Sequence, residues 1–63
     1  MPADVNPRAG SRILVVDDHV EMVHLLADQL GDLGFAVDTA TSGVEAMRIA
    51  GSRLPDVVLT DLR

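Results

Sequence analysis

Three aspartates stand directly after apolar segments of the chain, at points where buried strands would end. Asp17 and Asp18 follow the run Ile13–Val16, and Asp61 follows the run Val57–Thr60. The carboxyl ends of parallel strands meet at one edge of a sheet, and open α/β sheets bind ligands there, where the strand order reverses. Neighbouring strands are only about 4.8 Å apart, so the three acids are expected to converge on one shallow crevice.

Such a crevice could hold a divalent cation and carry out phosphoryl chemistry. Like charges that lie within a few ångströms disfavour joint ionisation, and a hard cation removes that cost. Mg²⁺ prefers one or two carboxylates together with waters and a phosphate oxygen. A carboxylate beside such an ion can attack phosphorus and form an acyl phosphate. We expect the pair Asp17 and Asp18 to hold the metal and the single acid Asp61 to be the nucleophile.

The segment that precedes the acidic pair predicts a buried strand followed by a helix. Residues 12–16 form a continuous β-branched and aliphatic run, which is typical of a strand buried on both faces. After the acids, apolar residues recur every three or four positions, which predicts an amphipathic helix that ends near Gly31 and Gly34. The apolar positions of this helix are Met22, Val23, Leu25, Leu26, Leu30 and Leu33.

The second half of the chain predicts a strand, a short helix and a third strand. Residues 35–40 alternate between apolar and polar side chains, with Asp38 on the polar side, as in a strand at a sheet edge. Ser42 and Glu45 have the spacing of a capping box, which opens a helix. The buried side of that helix is predicted to consist of Val44, Met47 and Ala50, and Met22 of the first helix is likewise predicted to lie in the core. The run Val57–Thr60 predicts a second fully buried strand.

The order β-α-β-α-β with short helices implies parallel strands and right-handed crossovers. The two most apolar strands should be central, which gives the strand order 2-1-3 with one helix on each face. The sequence therefore predicts the α/β class, as part of an open, doubly wound parallel sheet.

Composition excludes several classes of function. The 63 residues carry ten acids against five arginines and no lysine, a net charge of −5, which argues against nucleic-acid binding by this segment. There is no cysteine, as suits a reducing compartment, and no apolar run approaches the length of a membrane helix, so we expect a cytoplasmic protein without a membrane partner. Residues 1–11 are expected to be a flexible leader, and the short, aromatic-poor remainder reads as part of a larger domain.

Three motifs together resemble the receiver domain of two-component response regulators. They are Ile-Leu-Val-Val-Asp-Asp at 13–18, Ser-Gly-Val-Glu-Ala at 42–46 and Pro-Asp-Val-Val-Leu-Thr-Asp at 55–61. The resemblance runs in register from Arg12 to Arg63 and covers about the first half of such a domain. It implies that residues 12–63 are a partial receiver, with the first three strands and two helices of a truncated flavodoxin-like fold.

The resemblance also implies a role for each acid. Asp61 would be the phosphoacceptor that takes a phosphoryl group from a histidine kinase, so the chain would not itself be an enzyme. Asp18 and Asp61 would bind Mg²⁺ directly, Asp17 would act mostly through water, and the backbone carbonyl of Arg63 would be a further ligand. The family also uses a Thr or Ser and a Lys at the ends of later strands. Thr60 cannot be that Thr, because it precedes the acceptor.

Other interpretations of the same residues stay open at this point. Asp18 with Glu21 fits a capping box for the first helix, and Asp17 or Asp61 alone could be an ordinary strand-end acid. His19 lies near the rim of the crevice without an assigned role, and His24 is expected at the boundary of the helix. The alternative to a phosphoacceptor is a truncated, non-phosphorylatable receiver fragment that acts as an interaction or dimerisation module through its exposed sheet edge, or a decayed gene product. A flavin- or nucleotide-binding half-sheet is a weaker alternative, because no glycine-rich phosphate loop follows the first strand.

Overall fold

The computed structural model describes residues 10–60, which form three strands and two helices in alternation. In chain order these are β1 (Arg12–Val16), α1 (Val20–Asp32), β2 (Ala36–Ala40), α2 (Gly43–Ser52) and β3 (Val57–Thr60). Most of the predicted leader lies outside the described residues. Its last two residues are hydrogen-bonded next to β2: the Gly10 amide donates to the Gly34 carbonyl, and the Ser11 carbonyl accepts from the Ala36 amide.

The three strands form one parallel sheet in the order β2-β1-β3, as predicted. The last residue of β1, Val16, is in register with Ala40 of β2 and with Thr60 of β3. All three strands therefore end at the same level. At the other end, Asp56 fastens β3 to β1, because its carboxylate accepts from the Arg12 amide at 2.7 Å and its own amide donates to the Arg12 carbonyl at 2.7 Å.

The core lies between α1 and the central strand. Ile13 and Val15 are buried against Val23 of α1. Around this centre pack partly buried side chains from α1, β2 and β3: Leu26, Leu30, Phe35, Val37 and Val57. Leu14 points to the opposite face of β1, as the two-residue period of a strand requires, and it is equally buried.

The opposite face carries an ion-pair cluster around Asp38 of β2. The Asp38 carboxylate accepts from the Arg12 guanidinium at 2.8 Å and from the Arg53 guanidinium at 3.1 Å. Arg53 caps the carboxyl end of α2, so this cluster ties the second helix to the face that α1 does not cover. The polar side predicted for β2 is thus confirmed, and it is a paired surface rather than a simply solvated one.

The capping predictions for the two helices have different outcomes. At α2 the Ser42 hydroxyl accepts from the Glu45 amide at 3.1 Å, as in a capping box, while the Glu45 carboxylate accepts from the Thr41 amide at 2.7 Å. The capping box predicted for Asp18 and Glu21 is wrong. Helix α1 begins one residue later, with His19 at the N-cap and no side-chain cap bond. The end of α1 is marked by Gly34, whose φ of +98° suits glycine.

The prediction of buried positions on the outer surfaces is also partly wrong. Met22, Val44 and Met47 are exposed, and β3 is not a fully buried strand, because Val58 and Leu59 are exposed as well. Burial needs a covering element, and within residues 10–60 none packs over these side chains. Strand β3 pairs there with β1 alone, and self-association through that edge stays a prediction.

Among the described residues, neither helix is long and apolar enough to cross a membrane.

Candidate functional site

The acidic pair lies where β1 ends, at the common edge of the three strands. The Asp17 amide donates to the Ala40 carbonyl at 3.1 Å, which extends the pairing of β1 and β2 by one residue. Thr60 ends β3 beside Val16. The sequence prediction that Asp17 and Asp18 stand at this edge is therefore confirmed.

Asp17 and Asp18 are joined by His19 into a compact cluster. The His19 Nδ1 atom lies 3.0 Å from an Asp17 carboxylate oxygen and 3.1 Å from an Asp18 carboxylate oxygen. One ligating atom from each of the three residues lies within 4.8 Å of the others. The geometry thus brings two anionic oxygens and one imidazole nitrogen to a single point.

The two carboxylates of this cluster differ in their surroundings. The Asp17 side chain is only 9% exposed, whereas that of Asp18 is 73% exposed. The oxygen of Asp17 that meets the imidazole also accepts from the His19 amide at 2.9 Å. Asp17 is therefore hydrogen-bonded to the turn into α1, whereas Asp18 faces solvent.

Two shallow cavities meet at this edge of the sheet. One, of about 260 Å³, runs from Asp17 and Asp18 to the start of α2 at Ser42 and Gly43. The other, of about 200 Å³, lies on the α1 side. Asp17 and Thr60 line both of them. A crevice at the reversal of strand order is thus present, as the sequence predicted.

A larger cavity, of about 390 Å³, lies elsewhere, between β2 and α2. The carboxylate on its wall is Asp38, which is already neutralised by Arg12 and Arg53. This cavity brings no free anionic group to a ligand, so the acidic edge is the better candidate site despite its smaller volume.

The predicted phosphoacceptor Asp61 and the predicted carbonyl ligand Arg63 lie outside the described residues. Asp61 directly follows Thr60, the last residue of β3.

The donor atoms that are described fit a hard divalent cation. Carboxylate oxygens are the ligands that Mg²⁺ prefers, and it usually takes only one or two of them from a protein. Here two carboxylates from adjacent residues already converge on one nitrogen at hydrogen-bonding distance. The two carboxylate oxygens that lie near the imidazole nitrogen could therefore also bind a cation.

Sequence reasoning missed the part that His19 plays in this cluster. The position of His19 could have indicated this contact, since the residue directly follows the acidic pair in the turn between β1 and α1. Such a turn can bring the side chains of residues i and i+2 to the same side. His24, by contrast, is exposed on α1, away from the contacts of this cluster.

Comparisons with a family model and with individual proteins both relate this chain to two-component signalling proteins. The family model described as response regulator receiver domain matches residues 13–63. The sensor histidine kinase RcsC of Salmonella typhimurium is 50% identical over 50 residues, which cover 79% of this chain and 5% of that protein. The virulence sensor protein BvgS of Bordetella pertussis is 44% identical over 55 residues, or 87% of this chain and 4% of that protein.

A third relative is a different kind of protein. The probable transcriptional regulator ycf27 of Guillardia theta is 32% identical over 59 residues, which cover 94% of this chain and 23% of that protein. No solved structure matches the chain significantly. The chain thus spans only a small part of the curated relatives that it matches. The acidic edge of its 2-1-3 parallel sheet and the match over residues 13–63 together place this chain in the response regulator receiver family of two-component systems.

Proposed function

We propose that the chain is the phosphoacceptor part of a two-component signalling protein and that it accepts a phosphoryl group on Asp61. The observation that carries this proposal is the convergence of Asp17 and Asp18 at the sheet edge where β3 ends at Thr60, one residue before Asp61. Membership of the receiver family supports it.

The proposed reaction is an in-line phosphoryl transfer from a phosphohistidine. A carboxylate oxygen of Asp61 forms a bond to phosphorus, and the bond between phosphorus and the donor imidazole nitrogen breaks. The electron pair of that bond returns to the nitrogen of the donor, and the product on this chain is an acyl phosphate. Transfer of this kind depends mainly on positioning and on neutralisation of charge. The chain acts in it as the acceptor and not as an enzyme.

Mg²⁺ is the proposed cofactor, and it would neutralise the charge that gathers on the phosphoryl oxygens. We propose that Asp18 and Asp61 bind it directly, that Asp17 acts mostly through water, and that the backbone carbonyl of Arg63 is a further ligand. The low exposure of Asp17 and the high exposure of Asp18 are consistent with this division.

The proposed phosphodonor is a histidine kinase. The name of the RcsC relative is that of a sensor histidine kinase, and the matched segment is a small part of that protein. A kinase of this class carries the phosphohistidine from which the carboxylate would take the phosphoryl group.

The proposal is tested by phosphorylating the full-length protein with a small acyl phosphate donor in the presence of Mg²⁺. Intact mass spectrometry should detect one added phosphoryl group, and Asp61→Asn should abolish it because an amide oxygen is not nucleophilic enough. Asp28→Asn, a change of the same kind at an exposed position of α1, is the matched control and should leave labelling unchanged. Equal labelling of the Asp61→Asn protein would contradict the proposal, and so would a wild-type protein that takes up no phosphoryl group.

A further inference from the structure

His19 holds the acidic pair together in a way that a metal ion would otherwise do. Its Nδ1 atom is nearly equidistant from the two carboxylates, at 3.0 Å from an Asp17 oxygen and 3.1 Å from an Asp18 oxygen. A carboxylate that is ionised can only accept hydrogen bonds. The tautomer with a proton on Nδ1 can therefore donate to Asp17, with the Asp18 carboxylate close to the same nitrogen.

This contact lowers the cost of bringing two negative charges together. The Asp17 carboxylate is nearly buried, and burial of a charge is unfavourable unless it is hydrogen-bonded. The backbone amide and the imidazole of His19 both serve the same Asp17 oxygen. The imidazole also lies 3.1 Å from an Asp18 oxygen, so it bridges the pair.

The imidazole and a metal ion need the same carboxylate oxygens. A Mg²⁺ ion approaches its oxygen ligands to about 2.1 Å, which is well inside the distances that separate these oxygens from Nδ1. An ion on this Asp18 oxygen, with a water between it and Asp17, would take the place that the imidazole occupies at the pair. The ring would have to turn away before the ion could bind.

The structure makes such a turn easy. The His19 side chain is 57% exposed, so its departure uncovers little packed surface. The residue is the N-cap of α1 with extended backbone, φ −93° and ψ 103°, and its side chain makes no cap bond. Rotation of the ring therefore leaves two features intact: the helix, and the hydrogen bond from the His19 backbone amide to the Asp17 carboxylate.

We propose that His19 is a displaceable placeholder for the cation: its imidazole binds the Asp17 and Asp18 carboxylates when the metal is absent and competes with the metal for them. His19 is in this sense a positioning residue that sets the affinity of the site. The inference rests on the proposed function, because it takes the acidic pair to be the Mg²⁺ site.

Removal of the imidazole should strengthen metal binding. Without the imidazole, the repulsion between the two carboxylates is less compensated, and an incoming cation no longer has to displace the ring from them. A hydrogen bond of this kind, made by an exposed donor, corresponds to a change of roughly three- to tenfold in a binding constant.

The test is a calorimetric titration of the full-length protein with Mg²⁺ at fixed pH and ionic strength. The informative variants are His19→Ala and His19→Ser. Serine is a favoured N-cap residue, so the second variant should keep the start of α1 folded. His24→Ala, which removes the other histidine of this region, is the matched control. Far-ultraviolet circular dichroism checks that each variant is folded.

We expect tighter Mg²⁺ binding by both His19 variants and no change for His24→Ala. Equal affinity of the His19 variants and the wild type would overturn the proposal. Weaker binding would also overturn it, since His19 would then help to hold the ion. Failure of the proposed function gives a different result: Mg²⁺ binding would be absent, or would be unaffected by Asp18→Asn, and the placeholder proposal would fail with it.

Discussion

Residues 10–60 contain two carboxylate clusters, on two neighbouring strands, whose charges have different partners. Asp38 on β2 is 11% exposed and is bound by two guanidinium groups, those of Arg12 and Arg53. Asp17, at the end of β1, is 9% exposed, and its side-chain partner in the acidic cluster is the imidazole of His19. The two aspartates are almost equally buried, yet one contacts two guanidinium groups and the other contacts an exposed imidazole.

This difference distinguishes an acid held in ion pairs within the fold from an acid at the proposed metal site. A guanidinium is always charged in proteins and binds carboxylates with a rigid set of donors, so the charge of Asp38 is already balanced by permanent cations. At the sheet edge, a second acid, Asp18, adds a negative charge beside Asp17. Burial alone would not have distinguished the two sites, whereas the identity of the partner does.

The largest effect is expected where the acidic edge loses a charge. Asp18→Asn should weaken Mg²⁺ binding by at least about tenfold, because it removes a charged ligand. It should leave the free energy of unfolding in the absence of metal within about 0.5 kcal/mol of the wild-type value, since the side chain is largely exposed. Calorimetric titration and urea denaturation measure the two quantities. A large loss of stability with unchanged metal binding would make this cluster structural as well.

The reverse pattern is expected at the other cluster. Asp38→Asn should lower the free energy of unfolding by about 1–2 kcal/mol, because two guanidinium groups lose an anionic acceptor that is mostly buried. Metal affinity should not change. Urea denaturation, with Asp28→Asn as an exposed control, measures the effect. If Asp38→Asn instead altered Mg²⁺ binding without altering stability, the distinction between the clusters would fail.

The smallest changes in the free energy of unfolding are expected when one of the two arginines that contact Asp38 is replaced. Arg53→Gln should cost only a few tenths of a kcal/mol, since Arg53 is 64% exposed and solvent screens its pair. Arg12→Gln should cost more, about 0.5–1 kcal/mol, because that side chain is 34% exposed and its bond is the shorter one. Thermal or urea denaturation of the two variants gives the order. Equal losses, or a larger loss for Arg53→Gln, would show that exposure does not rank these pairs.

Much of the fold could be predicted from local patterns. Continuous apolar runs at 12–16 and 57–60 and an alternating one at 35–40 led to the observed strands and their 2-1-3 order. The capping signal at Ser42 was confirmed as well. The signal at Asp18 was not, because the side chains of the turn bind one another and α1 begins after His19. The residue at which α1 begins thus depends on contacts within the turn, which the sequence pattern does not specify.

Predictions of burial were less successful for the same kind of reason. Val23 and Met22 are neighbours on one apolar helix, but only Val23 faces β1 and is buried. Met47 of α2 is similarly apolar and exposed. Hydrophobic periodicity identifies the side of a helix that could be buried. Whether another element covers that side depends on contacts between residues that are far apart in the sequence.

The sequence by itself determined which elements form, that their strands run parallel, and therefore that Asp17 and Asp18 stand at the edge where open α/β sheets bind ligands. These properties follow from the spacing of apolar residues and from the handedness of crossovers, which act over short stretches of chain. Only the tertiary structure decided the partners of each charge. It placed Arg12 and Arg53 on Asp38 and the His19 imidazole between the two acids, because such contacts depend on distances across the fold and on the rotation of single side chains.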